Sequence, residues 1–217
     1  MTPRDLLLLL QWFDSQFPVG AYAHSGGLEA YAQRGAGPAE LRRLAEVFLK
    51  LGGLRMDLAA CALAWRVAPD AVLLERLGAE LTAWRPVPGP RESSLKMGRR
   101  WLRMVRRLYP SLEIPCLQHS HHAVVVGCCG RLFGVPETAL LLAYGHSALT
   151  ALLYAATRCM PVSPEQAQEI LRDLQEVLAA LVDEVGEDPP RHLWSCTPAW
   201  DVRAHEQALL QTRLFQS

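Results

Sequence analysis

Apolar residues fall at three- and four-residue spacing along nearly the whole chain, and the residues that interrupt them are of the kinds that start and stop helices. That pattern predicts a mainly helical fold. Ser163-Pro164-Glu165-Gln166 is the clearest start, with Ser as N-cap, Pro at the first helical position and Gln at the capping-box position. Behind it, Ile170, Leu171, Leu174, Val177, Leu178, Leu181 and Val182 form one stripe expected to end near Gly186. A second helix is predicted from Pro38, burying Leu41, Leu44, Ala45, Phe48 and Leu51 and stopping at Gly52-Gly53. Leu54 to Ala68 and Asp70 to Trp84 read as two more, divided by Pro69.

RPVPGP at 85–90 is a strong break and the best hinge candidate. After it, Glu92 to Tyr109 reads as a basic helix. Leu95, Leu102, Val105 and Leu108 can face a core, while Lys96, Arg99, Arg100, Arg103, Arg106 and Arg107 form a solvated face or a docking surface for an acidic partner. AVVVGCC (123–129) has strand-like content, but flanking helices leave it no pairing partner, so it is expected to be a buried helix. By pattern counting, the chain is a single all-α domain over residues 1–217, a bundle of roughly nine helices. It opens with an N-terminal helix over 1–16 and closes with a flexible C-terminal tail at 211–217.

Lys plus Arg and Asp plus Glu both number 22 in the 217 residues, so no net field recruits nucleic acid or an anionic membrane. Leu6 to Leu10 is too short for a signal-peptide core and lacks a cleavage site. The apolar region from Ala139 is interrupted by Gly145, His146 and Arg158, short of the roughly 20 residues a membrane span needs. A soluble, cytoplasmic protein is expected. Its six cysteines contain no CxxC pair and read as buried free thiols.

Three chemical readings compete. AHSGG (23–27) and GHSAL (145–149) approach the G-x-S-x-G nucleophile elbow, making Ser25 and Ser147 candidate hydrolase nucleophiles. An elbow needs a strand before the serine and a sheet behind it, and the helical pattern supplies neither. CLQHSHH (116–122) offers Cys116, His119 and His121 as weak ligands for nickel or zinc, with no second motif to close the shell. No G-x-x-x-x-G-K-[ST] run occurs to cradle a nucleotide's phosphates. On this reading the chain is not an enzyme.

FPVGAYAHSGGLE (17–29), RESSLKMGRRWL (91–102), HHAVVVGCCGRLFGVP (121–136) with AATRCMPVSPEQAQEIL (155–171), and HEQALLQTRLFQS (205–217) together resemble the urease accessory protein F family, UreF, nearly end to end. Ala21 stands where that family often has Gly. The resemblance implies an all-helical, non-catalytic protein that dimerises, binds the UreD/UreH accessory protein and recruits the GTPase UreG to deliver nickel to apo-urease. It implies no intrinsic cofactor, with nickel handled only in transit. The helix from Pro136 to Cys159 is a candidate dimer face.

Within that frame, partner contacts are expected at His24, Ser25, Gly26, Gly27, Glu29, Tyr31, Lys96, Arg99, Arg213, Leu214 and Phe215. Ser25 is expected to cap the helix carrying Leu28, Glu29 and Tyr31, leaving the Glu29 carboxylate free. Docking Leu214 and Phe215 would gain roughly 3 to 6 kcal/mol by burial. Ordering residues 213–217 would cost about 5 to 10 kcal/mol. The tail is therefore expected to stay mobile until a partner arrives, with Arg213 donating to Glu29 or Tyr31. The plain alternative is that Leu214 and Phe215 finish the core.

Overall fold

The computed structural model describes residues 1–20, 26–210 and 214–215, and among them the fold is all-α, with no strand. The elements are α1 (Pro3–Trp12), α2 (Leu28–Ala32), α3 (Pro38–Lys50), α4 (Gly53–Val67), α5 (Ala71–Trp84), α6 (Pro88–Leu108), α7 (His122–Phe133), α8 (Glu137–Cys159), α9 (Pro164–Asp173), α10 (Gln175–Glu187), a 3₁₀ turn (Pro189–His192) and α11 (Pro198–Gln207). His24, Ser25 and Arg213 lie outside the described residues.

The central helix is α4, which buries Leu54, Met56, Leu58, Ala59, Ala60, Cys61, Ala62 and Ala64. Its small side chains let α7 pack closely along it, in the most extensive helix pair of the fold. The AVVVGCC segment forms most of α7 and is wholly buried, as its flanks required. Outside α7 lies α6, and on the other side of α4 lie α8 and α10, so the helices stack in layers around one apolar cluster running from Leu9 to Phe215.

Several boundaries differ from those read in the sequence. The N-terminal helix ends at Trp12, because Phe13, Trp12 and Phe17 turn in to meet Trp101 of α6 and the Phe17 N–H bonds the Asp14 carbonyl. The stripe behind Ser163 is two helices. The predicted capping box is present, but α9 closes at Asp173, where the Leu174 N–H bonds the carbonyls of Ile170 and Leu171, and α10 begins anew. With the short α2, this raises the count to eleven α-helices among the described residues.

The break at 85–90 is shorter than expected, since Pro88 already sits in the first turn of α6, where a missing N–H costs nothing. Nor is it a loose hinge, because Arg85 is 8% exposed and its Nη2 donates to Asp57 Oδ1 at 2.5 Å. Leu51, expected in the core, is exposed just past the end of α3. By length and composition alone α8 could cross a membrane, despite its Gly145, His146 and Arg158. Half of that stretch is buried inside the fold, against α2, α3, α4, α9 and α10. All six cysteines are free; Cys61, Cys128 and Cys129 are buried as expected, whereas Cys116 and Cys196 are exposed.

Candidate partner-binding site

The two ends of the chain meet on one surface. The residue before α2 is Gly27, at φ 107°; Ser25, expected to cap this helix, lies outside the described residues. An L-residue rarely adopts that φ, and a Cβ at Gly27 would lie 3.0 Å from the Ala204 backbone nitrogen. Glycine thus lets α11 lie directly against the start of α2. Trp200 of α11 donates its Nε1–H to the Gly26 carbonyl at 2.5 Å, and its ring meets Tyr31 and Phe48.

Glu29 lies in the first turn of α2 and is 4% exposed. Its carboxylate accepts the Leu214 N–H at 2.6 Å, the Phe215 N–H at 3.3 Å and a Gln207 side-chain N–H at 3.2 Å. A buried carboxylate must be hydrogen-bonded, and these three donors supply what solvent cannot. The expectation of a free Glu29 is therefore corrected: the chain's own tail occupies it.

Phe215 is buried, with the Arg158 guanidinium 4.9 Å over its ring, while Leu214 is 61% exposed. The tail expectation divides accordingly. Phe215 finishes the core, as the plain alternative held, and Leu214 presents an apolar side chain to solvent. Burial pushes the neighbouring Cys159 thiol up to about 11, with the Glu29 charge adding to the effect. Burial likewise raises the Tyr31 phenol.

Lys96 and Arg99 lie elsewhere, on the exposed face of α6 with Arg103 and Arg107, and no ion pair neutralises them among the described residues. Arg100, next along, donates to the Val19 carbonyl at 3.4 Å and so ties this helix to the segment leading into the glycine-rich turn.

The proposed metal ligands do not converge. His119 Nδ1 is 2.5 Å from Glu75, whose carboxylate also accepts the backbone N–H groups of Gln118 and His119. Cys116 is exposed, 3.5 Å from Arg106 Nη2. Fully buried His121 bonds Thr82 through Nε2 at 2.9 Å and Ser94 through Nδ1 at 3.0 Å, so both ring nitrogens are spent. Burial lowers its pKa to about 3. Among the described residues no three His, Cys, Asp or Glu side chains are grouped to hold a metal ion. Ser147 sits in the middle of α8 and not at the strand-to-helix turn a hydrolase elbow requires.

The contacts of Glu75 with Gln118 and His119, of Gln207 with Glu29 and of Arg158 with Phe215 are not legible in the sequence. Each joins segments distant in sequence, as Glu75 does across 43 residues, and nothing local marks it.

A family model for UreF matches residues 36–175. The urease accessory protein UreF of Arthrobacter sp. (strain FB24) is 30% identical, over 97% of this chain and 96% of its own length. Its namesake in Nostoc sp. (strain PCC 7120) is 28% identical over 100% and 98% of the two chains. That of Rhodopseudomonas palustris (strain BisB5) is 28% identical over 98% and 91%. The family-model match over 36–175 and these near full-length alignments, with the all-helical fold, establish that the chain belongs to the UreF family of urease accessory proteins.

Proposed function

We propose that this protein is a non-catalytic, cytoplasmic adaptor that bridges the UreD/UreH accessory protein and the GTPase UreG while nickel is inserted into apo-urease. The observation that carries the reading is the bonding of Glu29 to the Leu214 and Phe215 amides. A partner that grips the exposed Leu214 pulls on a carboxylate carried in the first turn of α2, so binding at the tail is coupled to the glycine-rich surface beside it.

Lys96 and Arg99, exposed and without an ion pair among the described residues, supply a second contact, suited to an acidic partner face. Leu142 and Tyr154, exposed on α8, supply the face on which two copies pair. Nickel passes in transit and is not held here. Titrating the purified protein with Ni²⁺ checks that point: tight stoichiometric binding lost on changing Cys116 and His119 contradicts it.

The test of the bridging role is co-purification of the chain with both partners, each alone and together. A ternary complex is expected, and pairwise complexes that exclude one another contradict the role.

A further inference from the structure

A cavity of about 460 Å³ opens between the first turn of α4, the α5–α6 connection, the middle of α8 and the start of α11. That is within the range of small-molecule sites, roughly 300–1,000 Å³. Its walls are largely apolar and include the rings of Phe48, Trp84, Tyr144 and Trp200. The faces of such rings are electron-rich and attract an organic cation.

Arg85, Asp57 and Asp201 bring formal charge to the lining, and only Asp201 is uncompensated. Arg85 and Asp57 are spent on each other, Nη2 to Oδ1 at 2.5 Å, and leave a neutral pair. Asp201, in the first turn of α11, has no ion pair and no side-chain hydrogen bond among the described residues, and it is partly open to solvent, within a ligand's reach. Burial without a cation opposite shifts it toward its neutral form. The charge that the cavity lacks is therefore positive. Tyr144 adds a polar group to the wall: it is 5% exposed, and its hydroxyl makes no hydrogen bond among the described residues. Burial keeps that phenol protonated, with lone pairs free to accept.

We infer that the cavity binds a small alkylammonium ion with an apolar body, its head donating to the Asp201 carboxylate while its body lies against the aromatic walls. An anion would meet both Asp57 and Asp201 with Arg85 alone to offset them. A metal ion would find too few ligands, since no three His, Cys, Asp or Glu side chains are grouped to hold one among the described residues. A neutral alcohol of the same shape forfeits the attraction of the rings and the charge-assisted bond, which is about twice as strong as a neutral one.

The test uses the full chain and three probes of one shape, 3-phenylpropylamine, 3-phenylpropanol and 3-phenylpropanoate, followed by calorimetry and by the chemical shifts of backbone and indole N–H groups. Saturable one-to-one binding of the amine is expected, with shifts at the Asp201 amide and the Trp84 indole. Affinity is expected to fall in the order amine, alcohol, carboxylate, with the alcohol weaker on the order of tenfold. Ala151→Phe places a ring in the cavity from α8 and abolishes amine binding in a folded protein. Should that variant not fold, Asp201→Asn keeps the shape of a partly exposed side chain, removes its charge and erases the preference for amine over alcohol. Any other order of affinity, retained amine binding in a folded Ala151→Phe protein, an unchanged preference in Asp201→Asn, or no amine binding up to about 10 mM overturns the inference.

Discussion

The carboxylate of Glu29 accepts the backbone N–H of Leu214 at 2.6 Å across 185 positions of sequence, joining the first turn of α2 to the end of the chain. Glu29→Ala strips a hydrogen-bond acceptor from three buried or part-buried donors and is expected to cost about 1–3 kcal/mol of stability. Hydrogen exchange resolved at the 214 and 215 amides checks this. Loss of their protection, with the core amides of α4 unchanged, is the expected pattern.

The two last described residues separate stability from recognition. Phe215, 4% exposed, is expected to cost about 3 kcal/mol on change to Ala. Leu214, 61% exposed, is expected to stay within about 0.5 kcal/mol of the parent. Urea denaturation of the two variants measures the difference.

Helix propensity and packing give opposite signs at Gly98. Replacing a mid-helix glycine by alanine ordinarily gains about 1 kcal/mol, yet a Cβ here would overlap the Ser120 backbone carbonyl oxygen. Gly98→Ala is expected to destabilise by about 1–3 kcal/mol. Gly186 in α10 has open space around its Cβ position and serves as the control, with Gly186→Ala stabilising by about 0.5–1 kcal/mol. Melting curves of both variants show whether the signs differ.

His121 gives a pH dependence of fixed sign. Thr82 spends its hydroxyl hydrogen on the Gly78 carbonyl, so it accepts from His121 Nε2–H and leaves Nδ1 to accept from Ser94. Burial of that neutral ring holds its pKa at about 3, below the ordinary 6.5 of histidine. The unfolded chain therefore binds the proton first. This contribution to stability is complete above pH 6.5 and is lost as pH falls toward 3. His121→Gln keeps one donor and one acceptor but does not titrate. Between pH 6 and 4 its stability is expected to fall less steeply than the parent's, by about 1.4 kcal/mol per pH unit. Parallel slopes in urea titrations contradict the assignment.

What was legible in the sequence follows from the range over which each signal acts. The Ser163 capping box and the helical character of the valine-rich α7 are local matters, read from caps and from the lack of a pairing partner. The split of α9 from α10 is not legible because the apolar stripe runs through Leu174 without a change of period. Of the residues expected to contact partners, Gly26 and Tyr31 meet Trp200, Gly27 abuts Ala204, and Glu29 holds the amides of Leu214 and Phe215, neighbours in space that sequence spacing does not bring together. That Glu29 is consumed by the tail could not be read from spacing, because backbone amides leave no trace in the letters. The Cys116, His119 and His121 cluster shows the converse: nearness in sequence does not make ligands converge when Glu75, Thr82 and Ser94 claim their polar atoms first.

The most direct test of the tail as a partner grip is Leu214→Asp, which alters an exposed side chain while leaving the amide that Glu29 holds. Association with the purified UreD/UreH accessory protein would be measured by calorimetry, after circular dichroism and urea denaturation show the variant to be as stable as its parent. Binding weakened by tenfold or more, on the order of 1.4 kcal/mol, is expected for an apolar anchor replaced by a charge. Undiminished affinity in a stable Leu214→Asp protein would contradict it.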